Sequence, residues 1–362
     1  MNYLNLIEDL TNAKGMSGFE EEVVEVIKRY KGKYTLQVDS MNNCYLNLDK
    51  KDPNKPTVML DSHIDEVGLM VKAIDENGLL CIQPIGGWVP SNLTAQIFYV
   101  RNTEGQYLKG ISATKPIHFM TAEERTKKID ITDIKIDMGA TSRKQVIEDL
   151  KIAVGQPIVP ATRFSYNEVT HTILAKGFDN RIGTACAVAI MRDLEDEVDS
   201  FPFNLVAAPA AQEEVGTRGA TLTVRRVQPN LAVILEGTPS DDFTNPDPLL
   251  QGKLGAGPQI RHRDNSYVAN TALIDLFNQA AQAENIPTQH AVREGGGTNA
   301  GPISLGNLGT PCATIGIPSR YAHTNACFCS YDDFHATVEL TKAFLRRLTL
   351  EDIQSFDLKT FH

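Results

Sequence analysis

Five segments of this chain each close an apolar run, or open a helix, on a side chain that can bind a metal ion. In Val58-Met-Leu-Asp-Ser-His63-Ile-Asp65 an apolar strand runs into a His-x-Asp. That is the carboxyl end of a strand, where open α/β sheets place their ligands. Alternate residues of an extended segment share a side, so Asp65 can accept the second N–H of a metal-binding His63 and orient the ring. Asp179 stands just ahead of an apolar helix, where a carboxylate caps the helix or bridges two cations. Glu213 and Glu214 close the run Asn204-Leu-Val-Ala-Ala-Pro-Ala-Ala-Gln, Glu236 follows Leu231-Ala-Val-Ile-Leu, and His323 lies in a loop after a further apolar run. Each has an ordinary reading as a buried histidine, a cap or a solvated acid; the set of two histidines and several carboxylates points to zinc, cobalt or manganese.

Such a set predicts two divalent ions ~3.5–4 Å apart, bridged by Asp179 and a water whose pKa falls towards ~7. Adjacent side chains diverge, so one of Glu213 and Glu214 can bind metal while the other reaches that water. Glu213 would take the proton from the attacking water and return it to a leaving amine, with the metals stabilising the oxyanion.

The elements that must position these groups follow from pattern. Apolar residues at helical spacing from Tyr3 to about Tyr30, broken at Gly15-Met-Ser-Gly18, predict two helices with Ser17 capping the second. Strands are expected at Thr35–Val38, from Cys44, and at Thr57–Asp61. From about Val67 to Val169 short alternating stretches between Gly and Pro turns predict a small β-rich unit. Beyond it a helix is expected from Arg181 to Leu194, strands at Asn204–Ala211, Asn230–Leu235 and Pro311–Ile317, and helices at Asn270–Glu284 and Ser330–Leu348. This alternation implies an α/β sheet covered by helices and split by an insertion. The expected division is 1–66 and 170–362 for the two parts of the catalytic domain, with 67–169 inserted.

Composition narrows the classes. The 362 residues carry a net charge of -10, which disfavours nucleic acid or an anionic membrane as partner. No apolar run approaches the ~20 residues of a membrane span, and the amino-terminal stretch lacks the basic and apolar regions of a secretory signal. The six cysteines sit in apolar surroundings and read as buried thiols, including Cys327 and Cys329, so a reducing cytoplasmic location is expected.

The ordered segments Asp61-Ser-His-Ile-Asp-Glu-Val-Gly, Gly110-Ile-Ser-Ala-Thr-Lys-Pro-Ile-His118, Ile136-Asp-Met-Gly-Ala-Thr-Ser-Arg143, Phe178-Asp-Asn-Arg-Ile-Gly, Gln212-Glu-Glu-Val-Gly, Gly295-Gly-Gly-Thr-Asn-Ala and Pro318-Ser-Arg-Tyr-Ala-His span nearly the whole chain. Together they resemble the dinuclear metal aminopeptidases that assemble as tetrahedral dodecamers, which include glutamyl and deblocking aminopeptidases. The resemblance implies an α/β, mixed-sheet metallopeptidase domain of the phosphorylase/hydrolase-like type, interrupted by a PDZ-like dimerisation domain. It also implies His63, Asp179, Glu214, Glu236 and His323 as ligands of two divalent ions, zinc or cobalt before manganese. Glu213 is then the base, Asp179 the bridge, and short peptides the substrates of a hollow homododecamer built from dimers.

The chain departs from that family at Asn180 and Asn299, where acids are common, and carries Glu236 where many relatives have Asp. An amide keeps the hydrogen-bonding shape of a carboxylate but not its charge. Arg320 could attract an acidic substrate side chain or serve a structural salt bridge. A metal-dependent deacylase, a glycosidase and a catalytically silent particle stand as alternatives; a glycosidase would work with two carboxylates and no metal.

Overall fold

The computed structural model describes residues 2–357. Its centre is four parallel strands, Asn204–Ala207, Thr57–Asp61, Leu231–Pro239 and Cys312–Arg320, side by side in that order. All of Thr57–Asp61 and Asn204–Ala207 is buried, as continuous apolar runs in parallel sheets are. Register places Leu60 beside both Ala207 and Val233, so four carboxyl ends open along one edge of the sheet. Seven further strands, all but one joined by antiparallel pairing, extend it to eleven, among them Cys44–Leu46, Cys327–Ser330 and Thr172–Ala175.

Helix Phe178–Asp193 packs on this centre, buried along almost all its length, with Tyr3–Asn12 and Tyr331–Arg347 against it. Local chemistry sets the helix starts. Asn270 accepts the amides of Ala272 and Leu273 at the head of Thr271–Glu284, and Ser330 accepts that of Asp333 at the head of Tyr331–Arg347. Ser17 does not cap Glu21–Tyr30 as the sequence suggested; that helix follows Glu20 without a side-chain cap, and the Ser17 hydroxyl instead donates to Asp65 at 2.6 Å.

Between Gly68 and Pro160 the chain leaves the sheet and forms a closed barrel of six strands. These are Gly68–Ile74, Leu80–Ile85, Ile97–Arg101, Tyr107–Ala113, Lys135–Asp137 and Pro157–Pro160. Pairing of Leu69 with Ile158 closes the ring, and alternation sends Leu69, Leu80, Phe98, Val100 and Ile136 into its own core. Ser165–Asn167 is already back in the large sheet. The exit and return are tied by a buried cluster: the Glu66 carboxylate takes Lys176 Nζ at 2.5 Å and Arg181 Nη2 at 3.3 Å. Both cations also donate to the Ala13 carbonyl, so no charge in the cluster is left alone in the interior.

Several sequence boundaries move: helix Phe178–Asp193 begins ahead of the expected Arg181, and strand Cys312–Arg320 runs on past the expected Ile317. Strand Leu231–Pro239 runs on past Leu235, so Glu236 lies within it, paired in register with Gly316, rather than after its end. Asn204–Ala207 ends four residues before Ala211, although Ala208 and Ala210 still donate to the Leu60 and Ser62 carbonyls beyond its end. All six cysteines are free; five are buried and Cys81 is half-buried. No helix among the described residues is long and apolar enough to cross a membrane.

Candidate metal centre

The four parallel strands and one helix start deliver their acids and histidines to one point. His63 follows Thr57–Asp61, Glu213 and Glu214 follow Asn204–Ala207, Glu236 sits in Leu231–Pro239, and His323 follows Cys312–Arg320. Asp179 comes from the first turn of Phe178–Asp193, where Asp179 and Asn180 leave helical geometry and turn the carboxylate towards the sheet edge. Gln212 and His323 are held at φ 56° and 59°. Non-glycine residues adopt that region at a cost of about 1–2 kcal/mol, and such strain clusters where side chains are aimed for function.

Two triads result. His63, Asp179 and Glu236 bring ligand atoms within 4.8 Å of one another, and Asp179, Glu214 and His323 do the same, with Asp179 common to both. His63 Nε2 lies 2.9 Å from Asp179 Oδ1 and 3.5 Å from Glu236 Oε1. His323 Nε2 lies 3.2 Å from Asp179 Oδ2 and 3.3 Å from Glu214 Oε1. The buried Glu214 Oε1 and Glu236 Oε1 accept no hydrogen bond. Unmatched buried acceptors facing imidazole lone pairs are what a divalent cation satisfies, so these residues fit a metal pair.

Ring tautomers follow from what each Nδ1 meets. His63 Nδ1 faces the Asp65 carbonyl at 3.2 Å and its Oδ1 at 3.4 Å, and His323 Nδ1 faces the Gly87 carbonyl at 2.9 Å. Carbonyl and carboxylate oxygens only accept, so both Nδ1 atoms carry the proton and both Nε2 atoms serve the centre. Asp65 does more than the sequence reading allowed: its Oδ1 accepts the Glu213 amide at 2.9 Å, and its Oδ2 the Glu214 amide at 3.1 Å. One carboxylate fixes three functional residues.

Electrostatics match crowding of acids in a buried place. Burial pushes Glu214 up to about 7, helped by the charge of Asp179 and opposed by His323. Burial likewise holds Glu213 well above the carboxylate range, reinforced by Glu236, Glu214 and Asp179 against the pull of His63. Burial works against a charged His323, yet the carboxylates of Asp179 and Glu214 beside it outweigh that and raise the ring to about 11. His63 is raised in the same way, burial being overcome by Glu213, Asp179, Asp65 and Glu236.

The amides of Asn180 and Asn299 are both fully buried. Asn180 donates to the Leu235 carbonyl at 2.9 Å and accepts the amides of Gly183 at 3.0 Å and Gly237 at 2.9 Å, pinning the backbone on either side of Glu236. Asn299 donates to Asp61 Oδ2 at 2.9 Å, beneath the strand end that carries His63. Arg320 makes a salt bridge: Nε and Nη2 both reach Asp242, the shortest contact being 2.7 Å, while its guanidinium stacks 3.9 Å from the Phe243 ring centroid. The carbonyl of Gly87 and the amides of Glu213 and Glu214 escaped the sequence reading because backbone groups carry no residue-type signal; the pair Gly86-Gly87 beside the only tryptophan was the one available hint.

Comparison with known proteins agrees with this geometry. The model of the M42 glutamyl aminopeptidase family matches residues 43–340, a span that contains all seven site residues. The chain is similar to the TET aminopeptidase of a marine sediment Thaumarchaeota archaeon, with TM-score 0.92 and 33% identity over 98% of this chain and 99% of that one. It is 28% identical to the glutamyl aminopeptidase of Lactococcus lactis subsp. cremoris (strain MG1363) over 98% of each. A structure of the Pyrococcus horikoshii TET1 peptidase, which can assemble into a tetrahedron or a large octahedral shell, matches at TM-score 0.85 and 25% identity over 96% and 100%. With two triads able to hold a metal ion and sharing one aspartate at the carboxyl edge of its sheet, the chain belongs to the M42 glutamyl aminopeptidase family and is a metal-dependent aminopeptidase.

Proposed function

We propose that this enzyme removes N-terminal residues from short peptides at a dinuclear centre. His63, Asp179 and Glu236 would hold one divalent ion, and Asp179, Glu214 and His323 the other, zinc or cobalt before manganese. The observation that carries this reading is the double use of Asp179, each of whose oxygens faces a different histidine. When bound, paired ions lower the pKa of a water and polarise the scissile carbonyl.

The chain's own groups do the rest. Glu213 Oε2, 3.8 Å from His63 Nε2, is near the centre without completing either triad. It is free to take a proton from the attacking water and pass it to the leaving amine. Asp65 keeps the base and its neighbour Glu214 in place through their amides. Arg320 is neutralised by Asp242, which favours neutral over acidic side chains near it.

The inserted barrel is the dimerisation unit in this reading, PDZ-like in kind, and dimers build a closed shell such as the dodecamer. Supporting this, Ile97 and Ile111 pair across two strands on the outer face, each about half exposed, and Ile117 and Phe119 are exposed as well. The substrate and metal are tested together by profiling aminoacyl substrates and short peptides against chelated protein reloaded with zinc, cobalt or manganese. Release of free amino acids only after reloading is expected; hydrolysis that survives chelation, or none on any peptide, would overturn the reading.

A further inference from the structure

One turn of the inserted barrel reaches the metal centre, and it reaches only one half of it. Gly86 and Gly87 follow strand Leu80–Ile85. The Gly87 carbonyl accepts from His323 Nδ1 at 2.9 Å. A Cβ on Gly87 would stand 3.1 Å from His323 Nδ1 and 3.5 Å from Cε1, with nothing else within 4 Å. A Cβ on Gly86, which sits at φ 79°, would meet Val67 at 2.6 Å and Glu214 Oε2 at 3.2 Å. His323 and Glu214 belong to the same triad; His63 and Glu236 of the other triad lie among the strands of the large sheet. The turn is anchored by Trp88, whose Nε1 donates to the Gly68 carbonyl at 3.0 Å.

We propose that the Gly86-Gly87 turn is a positioning element for the Asp179, Glu214 and His323 site, through which the barrel sets the affinity of that site and not of its neighbour. The Gly87 carbonyl fixes the ring orientation and the tautomer that leaves Nε2 free, and the absence of side chains at both positions leaves His323 and Glu214 room to converge. Outer partners of this kind commonly alter metal affinity by roughly 10–100-fold. The inference rests on the dinuclear reading above.

Gly87 is not held at a positive φ, so alanine fits its backbone and presses on the His323 ring alone. Calorimetric titration of chelated protein with zinc should show two ions per chain for the wild type. Gly87→Ala should bind one of the two ions at least about tenfold more weakly and keep the other at wild-type affinity, with the melting temperature of the chelated protein unchanged. Wild-type affinity at both sites, or equal loss at both, overturns the proposal while leaving the aminopeptidase reading intact; a wild type that binds no zinc overturns both.

Trp88 supplies an independent readout, since it is the chain's single tryptophan. Its emission should respond to one equivalent of zinc and not to the other, in the wild-type protein with no substitution made. Emission indifferent to both equivalents, or responding equally to both, counts against the turn's role even where Gly87→Ala fails to fold.

Discussion

The carboxylate of Asp65 holds the backbone amide of Glu213 at 2.9 Å, while the same side chain lies 3.4 Å from His63 Nδ1. The proposed ligand His63 and the proposed base Glu213 are therefore set by a single group, and loss of its charge should be felt by both. Asp65→Asn should lower metal affinity by roughly 10–100-fold and kcat as well. Metal analysis after dialysis, alongside steady-state rates at saturating zinc, separates the two effects; unchanged values of both would rule out this role.

Glu213 completes neither triad, so its removal should spare the metals and remove the proton transfer. Glu213→Gln should reduce kcat by about 10²–10⁴-fold with two ions still bound per chain. Loss of an ion in that variant would make Glu213 a ligand instead.

Metal binding should release protons, because the groups that converge on the centre hold them without it. His63 and His323, the latter raised to about 11, must each give up the Nε2 proton, and Glu214, raised to about 7, must be ionised. For His323 the folded value lies above the ordinary 6.5, so its stabilising pairing in chelated protein is fully present below 6.5 and fades as pH rises towards 11. Zinc affinity should accordingly rise from pH 6 to 8. At pH 8, titration in buffers of different ionisation enthalpy should show about one proton released per imidazole; heats independent of buffer would contradict this.

Asn180 joins the backbone on both sides of Glu236, and only an amide can do so with its nitrogen on Leu235 and its oxygen on Gly183 and Gly237. Asn180→Asp puts an acceptor against the Leu235 carbonyl. At pH 8 it should cost about 1–3 kcal/mol of stability, read from denaturant unfolding of chelated protein. A neutral outcome would mean that the site repacks around the acid.

Asp242 cancels the charge of Arg320. Asp242→Asn should raise kcat/KM for N-terminal Glu relative to Leu several-fold, an effect of about 1 kcal/mol as expected for a half-exposed charge. An unchanged ratio would place Arg320 outside the substrate's reach.

Much of the positioning framework could be read from residue order. The apolar run Val58-Met-Leu is long enough to mark a central strand, and its end at Asp61 locates His63 to within a residue or two. What could not be read is direction. Ser17 has the type of a cap but is turned to Asp65 by the tertiary fold, and Glu236 looked like a residue after a strand because a charged side chain rarely sits within one. Asn180 looked like a change of charge near a substrate; its buried contacts are all with backbone. Hydrophobic pattern reports which face is inside, whereas these roles depend on which carbonyl or amide lies opposite, and that is fixed by strands distant in sequence.

The ring closed by Leu69 and Ile158 has a consequence for how copies of this chain can meet. Each barrel strand is paired on both sides over part of its length, which leaves little main-chain edge and disfavours growth by addition of a neighbour's strand. Contacts made through it are contacts of side chains such as Ile97 and Ile111, which can be exchanged one at a time without disturbing a single rung of the ladder behind them. In the proposed assembly, association and folding would thereby be under separate control, and the stickiness of the particle could change while the unit that carries it does not.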